Sequence, residues 1–179
     1  LKPNILSRDV HDEIAQKAYG ADVESQFILG SRYYWGYGVE KDFKESVKWF
    51  MMAAKQGHAE SQSNLASYYK DGTGVEQDAA KAVEWYLKAA EQGYAKSQHN
   101  LALCYMHGTG VEQDAAKAVE WYLKAAKQGH AKAQFNLALC YEKGTGVEQD
   151  AAKAVEWYLK AAKQGNANAQ NNLALCYEN

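Results

Sequence analysis

The amino-acid sequence predicts an all-α protein built from tandem helix–turn–helix repeats, because three kinds of residue recur every 36 positions. They are the tryptophans Trp49, Trp85, Trp121 and Trp157, the glycines Gly36, Gly72, Gly108 and Gly144, and the aspartates Asp42, Asp78, Asp114 and Asp150. In addition, residues 73–93 recur at 109–129 with a single change, Glu91 against Lys127. A fixed period of this length is typical of proteins in which each repeat buries its apolar face against the next one.

The first helix of a repeat is clearest over residues 59–69. Its predicted core face returns at i, i+3, i+4 and i+7 and consists of Gln62, Leu65, Ala66 and Tyr69. The segment 72–74, Gly-Thr-Gly, is expected to end this helix, since glycine adopts positive φ without a Cβ clash.

A second helix is predicted over residues 79–92. Asp78 stands immediately before it, where a carboxylate can accept a backbone N–H of the first turn. The segment consists mostly of good helix formers, and its predicted buried face is Ala82, Val83, Tyr86 and Ala90. Gly93 closes the helix. One such hairpin cannot bury its own apolar face, so three or more repeats must stack to form a continuous core.

The period divides the chain into two parts. Residues 1–21 are predicted to form an N-terminal capping helix, because 7–19 superpose on a second helix with Ile14 and Ala18 in the places of Phe50 and Ala54. Residues 22–179 form the repeat array. Its four helix pairs extend over about 22–57, 57–93, 93–129 and 129–165, and a final unpaired helix ends at Asn179.

The two ends of the sequence give further expectations. The first four residues contain neither Met nor an apolar signal core, which predicts a fragment or processed chain whose targeting information is missing. The final helix leaves Leu173, Ala174 and Tyr177 partly uncovered, where repeat arrays normally carry a polar cap. We therefore expect either self-association through this end or a longer parent protein.

Composition and charge narrow the class of partner. The chain has 20 basic and 22 acidic residues, without the basic excess of a nucleic-acid binder. It has no run of 18 apolar residues, so no membrane span is predicted. Cys104, Cys140 and Cys176 are 36 residues apart, and on neighbouring parallel helices they would be roughly 8–10 Å apart. A disulfide needs Cα atoms within about 7 Å. Reduced cysteines favour the cytoplasm but leave the location open.

The repeat also carries a family resemblance. The pattern A-x-[SA]-Q-x-N-L-A-x-x-Y-x-x-G-x-G-V-x-x-D-x-x-K-A-x-x-W-x-x-x-A-A-x-x-G resembles the Sel-1-like repeat, a relative of the tetratricopeptide repeat, and covers residues 22–179. Gly30 fits the small residue that the family has after the leucine, and alanine keeps the small size in the later repeats. The resemblance implies a right-handed α/α superhelical solenoid whose first helices line a concave surface. It also implies an adaptor or scaffold role in protein quality control, signalling or bacterial interactions.

Differences between the repeats are concentrated in the first helices, whereas the second helices are almost invariant. The variable positions correspond to 96, 99, 103, 106 and 107, and at 100° per residue they fall within an arc of about 100°, roughly opposite the core face. Scaffold positions cannot vary freely but ligand-facing ones can, so this stripe is predicted to bind a protein or peptide. Its place also matches the ligand-contacting positions of the related tetratricopeptide repeat. The predicted binding residues are Phe27, Tyr34, Trp35, Asn64, Lys70, Lys96, His99, Asn100, Leu103, Met106, His107, Lys132, Phe135, Asn136, Leu139 and Lys143.

Two alternatives stay open within this stripe. Leu103, Phe135 and Leu139 could instead complete the packing between repeats. The asparagines at one edge of the arc resemble those that hold a ligand backbone in tetratricopeptide domains, since an amide both donates and accepts, or they could bond the neighbouring repeat. They are Asn64, Asn100, Asn136 and Asn172, and Ile28 replaces them in the first repeat.

No catalytic, cofactor or metal site is predicted. His99 and His107 are eight residues apart, about 12 Å along a helix, which is too far to share a metal. The Gly-Thr-Gly-Val turns lack the Lys-Ser/Thr ending of a phosphate loop. A structural or consensus-type scaffold without a native ligand remains the alternative, given the near-identity of three repeats. A β-lactam-binding enzyme is a third hypothesis, but the relatives that suggest it carry two cysteines per repeat and this chain carries one.

Overall fold

The structure is a computed structural model that describes the backbone of residues 5–178 and the side chains of residues 12–175. Within that range the regular structure is entirely α-helical, which confirms the predicted fold class. The helices are α1 (Ile5–Tyr19), α2 (Val23–Trp35), α3 (Phe43–Lys55), α4 (Ala59–Asp71), α5 (Ala79–Glu91), α6 (Ala95–His107), α7 (Ala115–Lys127), α8 (Ala131–Lys143), α9 (Ala151–Lys163) and α10 (Ala167–Glu178).

The chain forms two compact units, of which the first ends at Ala89 and the second begins at Ala90. In the first unit α1 packs on α2, α2 on α3 and α3 on α4. In the second unit α6 packs on α7, α7 on α8, α8 on α9 and α9 on α10. Each helix therefore packs mainly on its neighbours in sequence, as a 36-residue repeat requires.

The two glycines of the Gly-x-Gly turns have separate physical roles. Gly72 takes a left-handed φ of 70°, and its N–H donates to the carbonyl of Tyr68, which closes α4. Gly146 also has positive φ, 70°, and a Cβ built there would lie 2.2 Å from the carbonyl oxygen of Ala115. The first glycine of the turn thus reverses the chain. The second lets the turn approach the preceding second helix closely.

Second helices begin at the predicted aspartate caps. The carboxylate of Asp78 accepts the backbone N–H of Lys81 at 2.9 Å, and Asp114 accepts that of Lys117 at 3.0 Å. In the buried face predicted for α5, Ala82, Tyr86 and Ala90 are fully enclosed, while Val83 is half-buried. Tyr122 and Tyr158 repeat the buried tyrosine in α7 and α9.

A buried glutamine on α6 and on α8 ties each of these first helices to the second helices on either side. In the second unit, Gln98 donates through Nε2 to the carbonyl of Ala90 at 3.1 Å, and its Oε1 accepts from Gln128 at 2.7 Å. Gln134 repeats the arrangement with Ala126 and Gln164. These bonds satisfy an amide that would otherwise be costly on the core face. They explain why a polar residue occupies this apolar stripe.

The helix predicted as the N-terminal cap packs on the first repeat, and two of the predicted thiols are buried. Ala18 is buried with Leu29 and Trp49, and Ile14 packs against them. Cys104 and Cys140 are buried, and burial raises the pKa of Cys140 to about 11. The third predicted thiol, Cys176, and the predicted uncovered Tyr177 lie outside the described side chains.

Near the end of the described chain, Leu173 is half-buried and Ala174 is exposed. Self-association through this helix stays a prediction. Over the described residues, no helix combines the length and apolar character needed to cross a membrane.

Candidate protein-binding surface

The predicted binding residues, which we call the first-helix surface, differ in how far they reach solvent. Those at its two edges are exposed: Trp35, Lys70, Lys96, His107, Lys132 and Lys143. Those along its middle are half-buried: Phe27, Tyr34, Asn64, Asn100, Leu103, Met106, Phe135, Asn136 and Leu139. Only His99 is buried. The arrangement is a half-buried, mainly apolar and amide middle with exposed edges that are mostly basic.

In the first unit this surface is aromatic. Trp35 is 60% exposed and meets Tyr34 edge to face, with ring centroids 4.7 Å apart. Tyr34 in turn stacks on Tyr68 at 5.6 Å. Tyr37, which is 65% exposed, stacks beside Trp35 at 6.4 Å. The sequence analysis missed Tyr37 because it follows the end of α2 and so lies outside any helical stripe.

In the second unit the surface contains a cavity of about 310 Å³, which we call the groove cavity. Leu103 and Met106 of α6 and Leu139, Asn136 and Lys143 of α8 line it, and Tyr122 of α7 contributes from the helix between them. All of these except Tyr122 were predicted. The volume is at the lower end of the range found for small-ligand pockets, about 300–1,000 Å³, and is suited to one large side chain.

Leu103 and Leu139 contact both the core and this cavity, while Phe135 belongs to the packing. All three pack against the buried cluster of the second unit. The ring of Phe135 lies 5.8 Å from that of Tyr158. Leu103 and Leu139 also line the groove cavity, so their outer sides remain accessible. The packing alternative therefore describes Phe135 better than it describes the two leucines.

Two of these asparagines, Asn136 and Asn172, bond the neighbouring repeat. The Asn136 Nδ2 lies 3.1 Å from Nε2 of His99, and its side chain is hydrogen-bonded to the Tyr122 hydroxyl. Asn172 likewise donates to the Tyr158 hydroxyl at 3.0 Å. At the place that would pair with Asn64 the chain has Phe50, which lacks a hydroxyl. Asn136 is thus held in one orientation at the wall of the groove cavity, and a ligand-backbone contact there stays a prediction.

His99 is the one predicted binding residue whose side chain is buried. Its side chain is only 7% exposed, because α6 turns it toward Tyr122 of α7 and His130, the N-cap residue of α8, at 5.8 and 4.8 Å between ring centroids. Burial, followed by the neighbouring His130 and Lys132, lowers the pKa of His99 to about 4. The neutral tautomer with a proton on Nδ1 donates to Asn100 Oδ1 at 3.3 Å and accepts from Asn136 on Nε2. The hydrogen bond that His99 Nε2 accepts therefore helps to hold the Asn136 amide in place.

These features are those of an α/α helical repeat protein with an open surface on its first helices. The sequence model of the Sel1 repeat matches residues 23–58, 59–94, 95–130, 131–166 and 167–179. The chain belongs to the Sel1 repeat family, which confirms the predicted resemblance and its solenoid class. Proteins of this family commonly serve as protein-interaction scaffolds.

Solved structures support the same assignment. A protective antigen of uropathogenic Escherichia coli strains, with an SLR fold, is 40% identical with a TM-score of 0.91 over 93% of this chain. A Sel1 repeat protein from Oxalobacter formigenes is 37% identical with a TM-score of 0.84 over 88% of this chain. This chain spans 36% of the first protein and 65% of the second.

A more distant structure shares the fold alone. Cysteine rich protein B of Helicobacter pylori has 24% identity and a TM-score of 0.59, and the match covers 74% of this chain and 96% of that protein. No protein with a curated description matches the sequence significantly.

Proposed function

We propose that this chain is a protein-interaction module that binds a peptide segment of a partner protein across α6 and α8 of the second unit. The observation that carries the proposal is the groove cavity, whose wall includes Leu103, Met106, Leu139 and Lys143. These positions differ between the repeats, whereas the helices behind them are nearly invariant, since α7 and α9 have the same sequence. The fold does not need apolar residues there, because serine occupies the place of Leu139 in α2 and α4.

The chemistry of the groove cavity indicates how such a segment would bind. An apolar side chain that enters it would lie against two leucines and a methionine, while Asn136 provides a fixed amide at the wall. Burying one large apolar side chain is worth roughly 1.5–3 kcal/mol. Apolar anchors surrounded by a polar rim dominate the binding energy of most protein interfaces. His107 and Lys143 form that rim here.

The proposal is tested with Leu139→Ser, which removes the apolar wall without introducing a residue foreign to this position in the repeat. Ser31 and Ser67 occupy the equivalent sites. A random dodecapeptide library is displayed against the wild-type chain, and affinities of the selected peptides are measured by fluorescence anisotropy. We expect Leu139→Ser to weaken binding about tenfold, the loss of part of one buried leucine. Leu159→Ser, the same change on an exposed leucine of α9, is the matched control and should leave affinity unchanged.

Equal losses in the two variants would contradict the proposal. A selection in which the wild-type chain enriches no peptide would favour the second candidate, a structural scaffold without a native ligand. The identical sequences of α7 and α9 favour that candidate, because duplicated scaffold segments need no partner.

A further inference from the structure

A second depression in the second unit lies between the N-terminal ends of α6 and α8. Its volume is about 320 Å³, and the polar residues that line it are Lys96, His99, Asn100, His130 and Lys132. We call it the basic pocket. None of its described lining residues is acidic. Neither lysine makes an ion pair with any side chain between residues 12 and 175.

The two lysines stand where helix electrostatics disfavours a cation. Lys96 and Lys132 are the second residues of α6 and α8, in the first turn, where the helix dipole presents its positive end. The same position is acidic in the first unit, where Glu24 opens α2 and Glu60 opens α4. The charge at this place is therefore inverted between the two units, against the preference of the helix itself.

The first unit shows a carboxylate in the corresponding place. His58 caps α4 through Nδ1, which accepts the N–H of Ser61 at 3.2 Å, and Glu24 Oε2 lies 3.8 Å from His58 Nε2. His130 caps α8 in the same way, with 3.2 Å to the N–H of Ala133. In the second unit, however, Lys96 stands where Glu24 stands in the first.

The basic pocket of the second unit therefore contains two ammonium groups and no carboxylate among its described lining residues. Burial lowers the pKa of His130, and Lys132 and Lys96 lower it further, so the imidazole stays neutral beside two ammonium groups. An anion placed between Lys96 and Lys132 would supply the negative charge that Glu24 supplies in the first unit.

We propose that the basic pocket binds the carboxylate of an aspartate or glutamate in the peptide that occupies the first-helix surface, an inference that rests on the proposed function. A carboxylate is the group that this fold already places there in the first unit. The ammonium groups of Lys96 and Lys132 hold it by charge-assisted hydrogen bonds, which are about twice as strong as neutral ones.

The position of the pocket also fixes the spacing of the ligand. The basic pocket adjoins the groove cavity, because His99 lines the first and its hydrogen-bonded partner Asn136 lines the second. Lys132 and Leu139 are seven residues apart in α8, about 10 Å at 1.5 Å per residue. Three residues of an extended peptide span that distance at about 3.3 Å each. The preferred ligand therefore carries an acidic residue three positions from a large apolar one.

The test uses the peptides selected on the wild-type chain. We expect them to share an acidic and an apolar residue three positions apart, and changing that acid to its amide should weaken binding about tenfold, as for other hydrogen bonds to charged groups. The double variant Lys96→Glu/Lys132→Glu should lose about tenfold in affinity for the acidic peptide and bind the amide peptide as well as the wild type does. Its folding is not at risk, because glutamate already occupies both places in the first unit.

The matched control is Lys127→Glu/Lys163→Glu, which changes the net charge equally at the ends of α7 and α9. Glu91 already occupies that position in α5. The control should keep its affinity within about twofold, since exposed charges that do not touch the ligand are screened by salt.

Three results would overturn the inference. If the selected peptides share an apolar residue but show no acidic preference, the basic pocket has no carboxylate ligand, while the proposed function stands. If no peptide is selected at all, the proposed function fails and this inference fails with it. If phosphoserine in place of the acid binds more than tenfold tighter, the pocket is a phosphate site and the carboxylate assignment is wrong.

Discussion

The free energy of unfolding of the wild-type chain should fall in mild acid, and replacing His99 by phenylalanine should remove part of that fall. Two of the equivalent positions, Phe27 and Phe135, already carry phenylalanine, so the ring fits this place in the repeat. The wild-type imidazole is buried and neutral, and its pKa is lowered to about 4 from an ordinary value of 6.5. Between those two values the unfolded chain binds a proton at this residue that the folded chain does not. Stability from His99 is thus fully present above pH 6.5 and is lost as the pH falls toward 4.

The magnitude follows from that difference in pKa. One pH unit corresponds to 1.36 kcal/mol, so the complete effect is about 3 kcal/mol, of which about 2 kcal/mol is already lost at pH 5. Phenylalanine also removes the bond between His99 and Asn136, but that cost does not depend on pH. The capping aspartates titrate in both proteins, so their contribution cancels when the two are compared.

The assay is urea unfolding of both proteins at pH 7.5 and pH 5, followed by helical circular dichroism. The free energy of unfolding of the wild type should fall by about 2 kcal/mol more than that of His99→Phe over this interval. Parallel changes in the two proteins would refute the buried, neutral imidazole and the support that it gives Asn136.

Three further predictions concern the scaffold and its cost. Gly146→Ala should destabilise the chain by about 2–5 kcal/mol, because φ is positive there and the new Cβ also meets the Ala115 carbonyl. Gly165→Ala, which has the positive φ but open space around the new Cβ, should cost about 1–2 kcal/mol. A thermal melt of each variant checks this, and equal losses of stability would contradict it. Ser97→Ala should stabilise the chain by about 1 kcal/mol, because the Ser97 hydroxyl is buried without a partner, and a lower unfolding midpoint would count against that. Lys96→Glu and Lys132→Glu should each raise the free energy of unfolding by about 0.3–1 kcal/mol at low salt, because acidic residues stabilise a first helical turn. Unchanged stability would weaken the inference that these lysines serve a ligand rather than the helix.

The fold was predictable because its determinants are local and repeated. Asp78 caps α5 through atoms three residues away, and Gly72 closes α4 through a bond to Tyr68. Such contacts can be inferred from the sequence, since only chemistry within a few residues is involved. The 36-residue period then multiplies each local inference along the chain.

The binding surface was predictable only in outline. An arc drawn on a single helix places His99 with the exposed residues, but α6 is covered on one flank by Tyr122 of α7 and by His130, the N-cap residue of α8. Ser63, at the same position in α4, is also buried. Which flank of a helix its neighbours cover depends on packing between repeats, and the spacing within one helix does not contain that information.

The basic pocket had a signal in the sequence that went unused. The change from Glu24 and Glu60 to Lys96 and Lys132 is visible in the printed chain. Its meaning depends on His130, which lies 34 residues beyond Lys96 and becomes its neighbour only when α8 packs beside α6 on α7. A comparison of charges between repeats at one position, made across adjacent first helices, would have identified it.

Amide chemical shifts test most directly whether a partner peptide binds α6 and α8 of the second unit. A peptide selected on the wild-type chain is titrated into the ¹⁵N-labelled protein. We expect the largest shifts at Lys96, Leu103, Lys132 and Leu139, with little change at the exposed faces of α7 and α9. Shifts confined to those second helices would contradict the account.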